Sequence, residues 1–235
     1  FFFHPHPGIP DAQESRGLGD VYKRQRLKGL PVLDVSRETE EALNHFKNLV
    51  IEWNPTINLV SKNSISELWD RHIVDSAQIF TTFLPKSGLW LDFGTGGGFP
   101  GLVLAILARH LSPDLRFSLV ESDRRKCSFL KRVSRDLTLP VDIINSRVES
   151  IELEKTDYVS ARAVTQLNDL LFLVRNIVSR ETVFLFLKGR EYKKEVANAQ
   201  KNWDFKLSMV NSVTSEDGKL LILRGLERVV GKRNC

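Results

Sequence analysis

The 235-residue sequence predicts a doubly wound α/β fold, a mostly parallel sheet covered by helices on both faces, with a small helical cap at its N-terminal end. Three features carry that expectation. After Gly88, short apolar runs alternate with stretches of helical periodicity. One of those runs leads straight into a glycine-rich turn and then into a helix. The tail reads as an antiparallel hairpin around Asp217-Gly218.

Each element has its own signal. Ser36 can cap a helix, acids follow in the first turn, and Leu43, Phe46, Leu49, Val50 and Trp53 recur at helical spacing. Asn54-Pro55 is expected to stop that helix. A second helix is expected over 64–80, with Ile65, Leu68, Trp69, His72, Ile73 and Phe80 inward. These two helices form the expected cap, residues 26–87, ahead of any strand. Trp53 and Trp69 are read as cap core rather than as platforms for stacked bases. The sheet unit is expected over 88–235. Its strands are placed at 89–93, 116–121, 141–145, 158–161 and 182–187, with the hairpin at 205–213 and 219–224. Helices are placed at 102–109, 124–137 and 167–178, the second burying Phe129, Leu130, Val133 and Leu137. Residues 1–25 lack periodicity, and Asp20-Val21-Tyr22-Lys23-Arg24-Gln25 resembles the translation of a transposon-end adaptor. They are read as a non-native or disordered leader.

Composition narrows the class. At 42% hydrophobic and 27% charged residues, the chain has the balance of a soluble globular protein. Its most apolar stretch, 167–187, is broken by Asn168, Asp169, Arg175, Arg180 and Glu181, so no membrane span is expected. Two cysteines, Cys127 and Cys235, support neither a disulfide framework nor a metal site, and point to a cytoplasmic location. A net charge of +5 suits a polyanionic partner without specifying one.

The chemistry concentrates at Asp92-Phe93-Gly94-Thr95-Gly96-Gly97-Gly98-Phe99-Pro100-Gly101. A strand running into glycines and then a helix lets backbone approach a ligand at the strand ends. A plain tight turn is the bland alternative. Gly96, Gly98 and Gly101 match the dinucleotide pattern, and Glu121 lies about 20 residues on, so an NAD(P)-dependent oxidoreductase fits this motif alone. Glu121, ending a strand, can accept hydrogen bonds from ribose hydroxyls, or be a solvated strand-end acid. Asp92 suits the positively charged methionine end of S-adenosylmethionine better than a pyrophosphate, or it orients the loop.

Ordered blocks then make the resemblance specific. They are Trp53-Asn54 with Ile57-Asn58-Leu59 and Ser61; Arg71-His72-Ile73-Val74-Asp75-Ser76; Asp92 to Gly101; Ser146-Arg147-Val148-Glu149; Arg162-Ala163; and Leu187-Lys188-Gly189. From about Leu43 onward the chain resembles the glucose-inhibited division protein B family, the bacterial 16S rRNA guanine-N7 methyltransferases. The resemblance implies a Rossmann-like fold and S-adenosylmethionine as cofactor. It implies that Gly94 and Phe99 line the cofactor loop, where Gly96 is read as the point at which backbone meets ligand, beside Asp92. Glu121, Ser122 and Asp123 then surround ribose and adenine, Val148 and Glu149 flank the adenine, and Arg162 stands near the donor. The family sometimes has Asp where this chain has Glu121, which keeps the carboxylate. The partner implied is 16S rRNA, naked or in the small ribosomal subunit, with the chain acting as a monomer. Guanine N7 carries its own lone pair, so no catalytic base and no metal are expected. A non-catalytic RNA-binding protein is the remaining alternative.

Substrate contacts are expected from fewer signals. His72 either touches RNA or cofactor or ties the cap to the sheet. Arg162 pairs with a ligand anion or within the protein. Lys188 and Arg190 follow a strand end where a base would approach. Arg124, Arg125, Lys126, Lys131, Arg132 and Arg135 make one helix basic, for phosphate contact or merely as a solvated face.

Overall fold

A computed structural model describes residues 25–152 and 156–229. The expected leader therefore lies outside the described residues, except Gln25, which opens the first strand. β1 (Gln25–Leu27) and β2 (Leu30–Val35) form an antiparallel hairpin, pairing Gln25 with Val35. This corrects the expectation of a purely helical cap. The signal was there: Val32 and Asp34 face solvent while Leu33 and Val35 are buried, a period of two.

α1 (Arg37–Ile57) starts as expected, with Ser36 Oγ accepting the Thr39 N–H at 3.2 Å. It does not stop at Asn54-Pro55. Pro55 and Ile51 are exposed, so water can take the carbonyl that the missing N–H leaves unbonded. The chain turns instead at Asn58, which is left-handed and donates to the Asn54 carbonyl at 3.0 Å. The Asn54 side chain then accepts the Val60 N–H at 2.8 Å. The expected second helix is likewise broken. It becomes a 3-10 turn (Lys62–Ser64), a wide π-helical turn (Trp69–Val74) and the short helices α2 (Asp75–Ala77) and α3 (Ile79–Thr82). Trp53 and Trp69 pack against the apolar core, as expected.

The sheet has seven strands: β3 (Ser87–Phe93), β4 (Asp114–Glu121), β5 (Val141–Asn145), β6 (Tyr158–Arg162), β7 (Val183–Lys188), β8 (Trp203–Asn211) and β9 (Lys219–Arg228). Their spatial order is β5-β4-β3-β6-β7-β9-β8, parallel except for β9, which runs antiparallel to both its neighbours. α4 (Gly101–Leu111) and α5 (Arg124–Asp136) share one apolar cluster with α1 and the cap hairpin. α6 (Leu167–Val174) and α7 (Tyr192–Ala199) belong to a second cluster on the other face. α6 is shorter than expected, and α7 was not foreseen. Among the described residues no helix is long and apolar enough to cross a membrane.

Candidate active site

Chain order reverses across β3, with β4 and β5 to one side and β6 and β7 to the other. Open α/β sheets bind ligands in the crevice at such a point. The glycine loop lies there, between β3 and α4. Beneath it Asp92 is fully buried, at 0% exposure. One carboxylate oxygen accepts the Gly101 N–H at 3.0 Å, and the other accepts the Ser160 hydroxyl at 2.6 Å. Ser160 in turn accepts the Trp90 indole N–H at 2.8 Å. Burial pushes the Asp92 carboxyl up to about 6 against these hydrogen bonds. These bonds tie Asp92 to the start of α4 and to β6.

Above the loop the surface opens. Gly96 has φ +56°, and a Cβ there would meet nothing nearer than the Gly94 carbonyl oxygen at 3.8 Å. Glu121, at the end of β4, points one oxygen at the Gly96 N–H (2.9 Å) and the other at the Asp123 N–H (2.8 Å). Each carboxylate oxygen keeps a lone pair for a ligand. Ser122 is exposed beside it. Asp123 caps α5, accepting the Arg125 N–H at 2.8 Å, and its hydrogen bonds from Arg125 hold it below the usual carboxylate range. Asn145, ending β5, donates to the carbonyls of Glu121 and Ser122 at 3.0 and 3.1 Å. Val148 is buried in the turn that follows, with Glu149 exposed next to it. An open glycine surface, a fixed carboxylate and an apolar wall fit a nucleoside cofactor.

A second concavity, a cleft of 510 Å³, lies across the end of β6. Arg71, His72, Asp75, Arg162, Lys188 and Lys219 line it among others. The Arg162 guanidinium lies 5.1 Å over the Phe99 ring and donates to the Arg71 carbonyl at 2.9 Å. It also pairs with Asp75 at 3.4 Å and donates to His72 Nδ1. Burial, then the charges of Arg162 and Arg71, push His72 down to about 3. The imidazole is therefore neutral, and with Nδ1 accepting, Nε2–H donates to Ser64 Oγ at 2.9 Å. Cleft and loop also meet at Val164. Val164 packs so tightly on Gly94 that a Cβ there would lie 2.5 Å from Val164 Cγ2.

The chain matches the family model described as rRNA small subunit methyltransferase G over residues 39–223. It belongs to that family. A ribosomal RNA small subunit methyltransferase G of Ruegeria sp. (strain TM1040) is 46% identical over 197 residues, 84% of this chain and 96% of the relative. One from Cereibacter sphaeroides is 42% identical over 200 residues, 85% and 97% of the two chains. Among solved structures, a SAM-dependent methyltransferase from Aquifex aeolicus superposes with a TM-score of 0.53 at 12% identity, covering 67% of this chain and 92% of that one. The mitomycin 7-O-methyltransferase also reaches 0.53 at 12% identity, covering 80% and 68%. These likenesses support the fold, a Rossmann-like S-adenosylmethionine-dependent methyltransferase fold.

For this family member the expected site residues divide into two groups. Gly94, Gly96, Glu121, Ser122, Asp123, Val148 and Glu149 gather at the ends of β3, β4 and β5. His72, Arg162 and Lys188 line the cleft. Phe99 is 4% exposed and packs beneath Arg162. Arg190 is exposed, pairs with Asp217 at 2.9 Å, and does not line the cleft. Arg124 and Arg125 open α5 next to Asp123, away from the cleft. Asp75, Thr165 and Glu195 were missed as site residues. The spacing of Tyr192, Val196 and Ala199 is helical and would have exposed α7, which carries Glu195.

Proposed function

We propose that this chain methylates N7 of one guanine in 16S rRNA of the small ribosomal subunit, with S-adenosylmethionine as donor. The observation that carries the reading is the pairing of an open backbone surface above Gly96, beside the Glu121 carboxylate, with a cationic cleft that adjoins it at Val164 and Gly94. Glu121 would accept the ribose hydroxyls, and Val148 with Glu149 would flank the adenine. Bound there, the cofactor supplies an electrophilic methyl group on a sulfonium. Arg162, held by Asp75 and His72, stands between the two concavities and orients what enters them. Lys188 is the cleft's polar contact to the base, His72, with both ring nitrogens engaged, offers only its ring, and Arg190, Arg124 and Arg125 serve RNA outside the cleft. The cap, 26–87, completes the cleft of the 88–235 unit by supplying Arg71, His72 and Asp75. N7 needs no proton removed, so alignment and exclusion of water are the protein's main tasks.

A dinucleotide fits less well. Pyrophosphate binding uses free N–H groups at a helix N-terminus. Here the Gly101 N–H is taken by the buried Asp92 carboxylate, which would also repel phosphate. The test is to titrate the protein with S-adenosylmethionine and with NADH, then to assay methyl transfer to rRNA and to small subunits by mass spectrometry. The expected result is binding of the first alone and one 7-methylguanosine. Gly96→Val should abolish cofactor binding in calorimetry while a cooperative melt persists. Unchanged binding in that variant, or rRNA left unmethylated, would overturn the reading.

A further inference from the structure

Lys188 and Glu195 form a nearly buried ion pair on the cleft wall, 2.7 Å apart, with side chains only 7% and 17% exposed. Stability is a weak reason to keep such a pair, because desolvating two charges offsets most of their attraction. Both groups are anchored further. Lys188 Nζ donates to the Thr165 carbonyl at 2.6 Å, and Glu195 Oε2 accepts the Leu167 N–H, at the start of α6, at 2.8 Å. An ammonium has three N–H donors, and a carboxylate has two oxygens. One N–H of Lys188 and Oε1 of Glu195 thus have no partner among the described residues. Both side chains line the cleft. Its wall therefore offers a rigid hydrogen-bond donor directly beside a rigid acceptor.

We propose that Lys188 and Glu195 together read the Watson–Crick edge of the acceptor base and select guanine, an inference that rests on the methyl-transfer reading above. Guanine presents an acceptor, O6, next to a donor, N1–H. Lysine faces the first and glutamate the second. Adenine presents the reverse, an amino group next to a bare N1, which sets donor against donor and lone pair against carboxylate. The order of groups along the wall agrees. Val164 packs on Gly94 of the cofactor loop, the Thr165 carbonyl holds Lys188, and Lys188 holds Glu195. Passing round guanine in the same direction gives N7, O6 and N1–H. N7 then faces the cofactor loop with its lone pair untouched by the pair. A purine gaining positive charge at N7 also has a more acidic N1–H, so the bond to Glu195 strengthens toward the transition state.

The experiment uses single-turnover methylation of rRNA in which the guanosine modified by the unaltered protein is replaced. Inosine keeps N7, O6 and N1–H and should react within a few-fold of guanosine. 2-Aminopurine keeps N7 and the amino group but lacks O6 and N1–H, and should be slowed by about 100-fold or more. Glu195→Gln puts an amide where the free oxygen stood, and should lower the guanosine to 2-aminopurine preference by about tenfold. Glu195→Asp should give an intermediate preference, and S-adenosylmethionine affinity by calorimetry should be unchanged in both. Equal rates on guanosine and 2-aminopurine with the unaltered protein, or full preference in Glu195→Gln, would overturn the base-reading role. Failure to methylate guanosine at all would overturn the methyl-transfer reading instead.

Discussion

At the residue scale the site is governed by where carboxylates sit relative to backbone N–H groups. Glu121 ends β4 and Asp92 is the last residue but one of its parallel neighbour β3, yet their surroundings differ. Asp92 is sealed under α4, with both oxygens engaged by the protein, whereas Glu121 holds Gly96 and Asp123 and keeps lone pairs toward the open loop. If Glu121 receives the ribose hydroxyls, Glu121→Ala should weaken S-adenosylmethionine binding by roughly 1.5–3 kcal/mol, the worth of hydrogen bonds to a charged group. Glu121→Asp should recover part of the loss. Calorimetry on both variants is the check, and affinities equal to the parent would remove Glu121 from the cofactor site. The sequence pointed to this residue because strand end and glycine loop stand in a fixed spacing. Nothing in it showed that Asp92 would be sealed, because burial is a property of what packs above.

At the element scale, α5 shows how one helix can serve both fold and partner. Cys127, Phe129, Leu130 and Val133 face the core, and Arg124, Arg125, Lys131, Arg132 and Arg135 face out. Part of that charge is already used within the helix. Arg132 pairs with Asp136 at 2.6 Å, and Arg125 with Asp123 at 3.3 Å. Such exposed pairs contribute little stability, so they leave the arginines available to phosphate. Reversing Arg124, Arg125 and Lys131 together should flatten the dependence of log RNA affinity on log salt by roughly 0.7–0.9 for each phosphate that is no longer neutralised. Cofactor affinity should stay constant. A salt slope identical to the parent would make the basic face a solvated surface only. The sequence revealed this helix to within one residue, Leu137 capping it half-buried, because its amphipathic pattern is local. It misjudged the segment from Lys62 to Thr82, where a 3-10 turn, a π-helical turn and two short helices stand in place of one regular helix.

At the scale of the whole molecule, the cap is tied to the sheet by polar groups as well as by apolar packing. Asp75 pairs with Arg162 of β6 and accepts hydrogen bonds from Ser212 and Thr214, between β8 and β9, at 3.3 and 2.9 Å. His72 adds its bond from Arg162. Its folded pKa of about 3 lies below the ordinary value of 6.5, so the unfolded chain binds the extra proton between these values. The stability that neutral His72 contributes is thus present above pH 6.5 and is lost as pH falls toward 3. Urea denaturation of the parent and of His72→Gln from pH 7.5 down to 4.5 checks this. The stability difference between them should shift against the parent as pH falls, and a difference constant with pH would show that His72 is not held neutral there.

By itself the sequence determined the alternating strands and helices, the glycine loop with its partner carboxylate Glu121, and the family blocks that imply the donor. These are local: a period of two or 3.6, a left-handed glycine, or a short spacing depends on neighbours along the chain. Only the tertiary structure decided that Arg71, His72 and Asp75 from the cap meet Arg162, Lys188 and Glu195 from the sheet unit around one cleft. Those residues lie up to 124 positions apart, from 71 to 195, and nothing in the spacing of a chain specifies which distant charges its core will bring together. The strand order β3-β6-β7 and the packing of the cap on α4 and α5 make that choice, because burying the apolar faces leaves the strand ends and the π-helical turn facing each other across the opening.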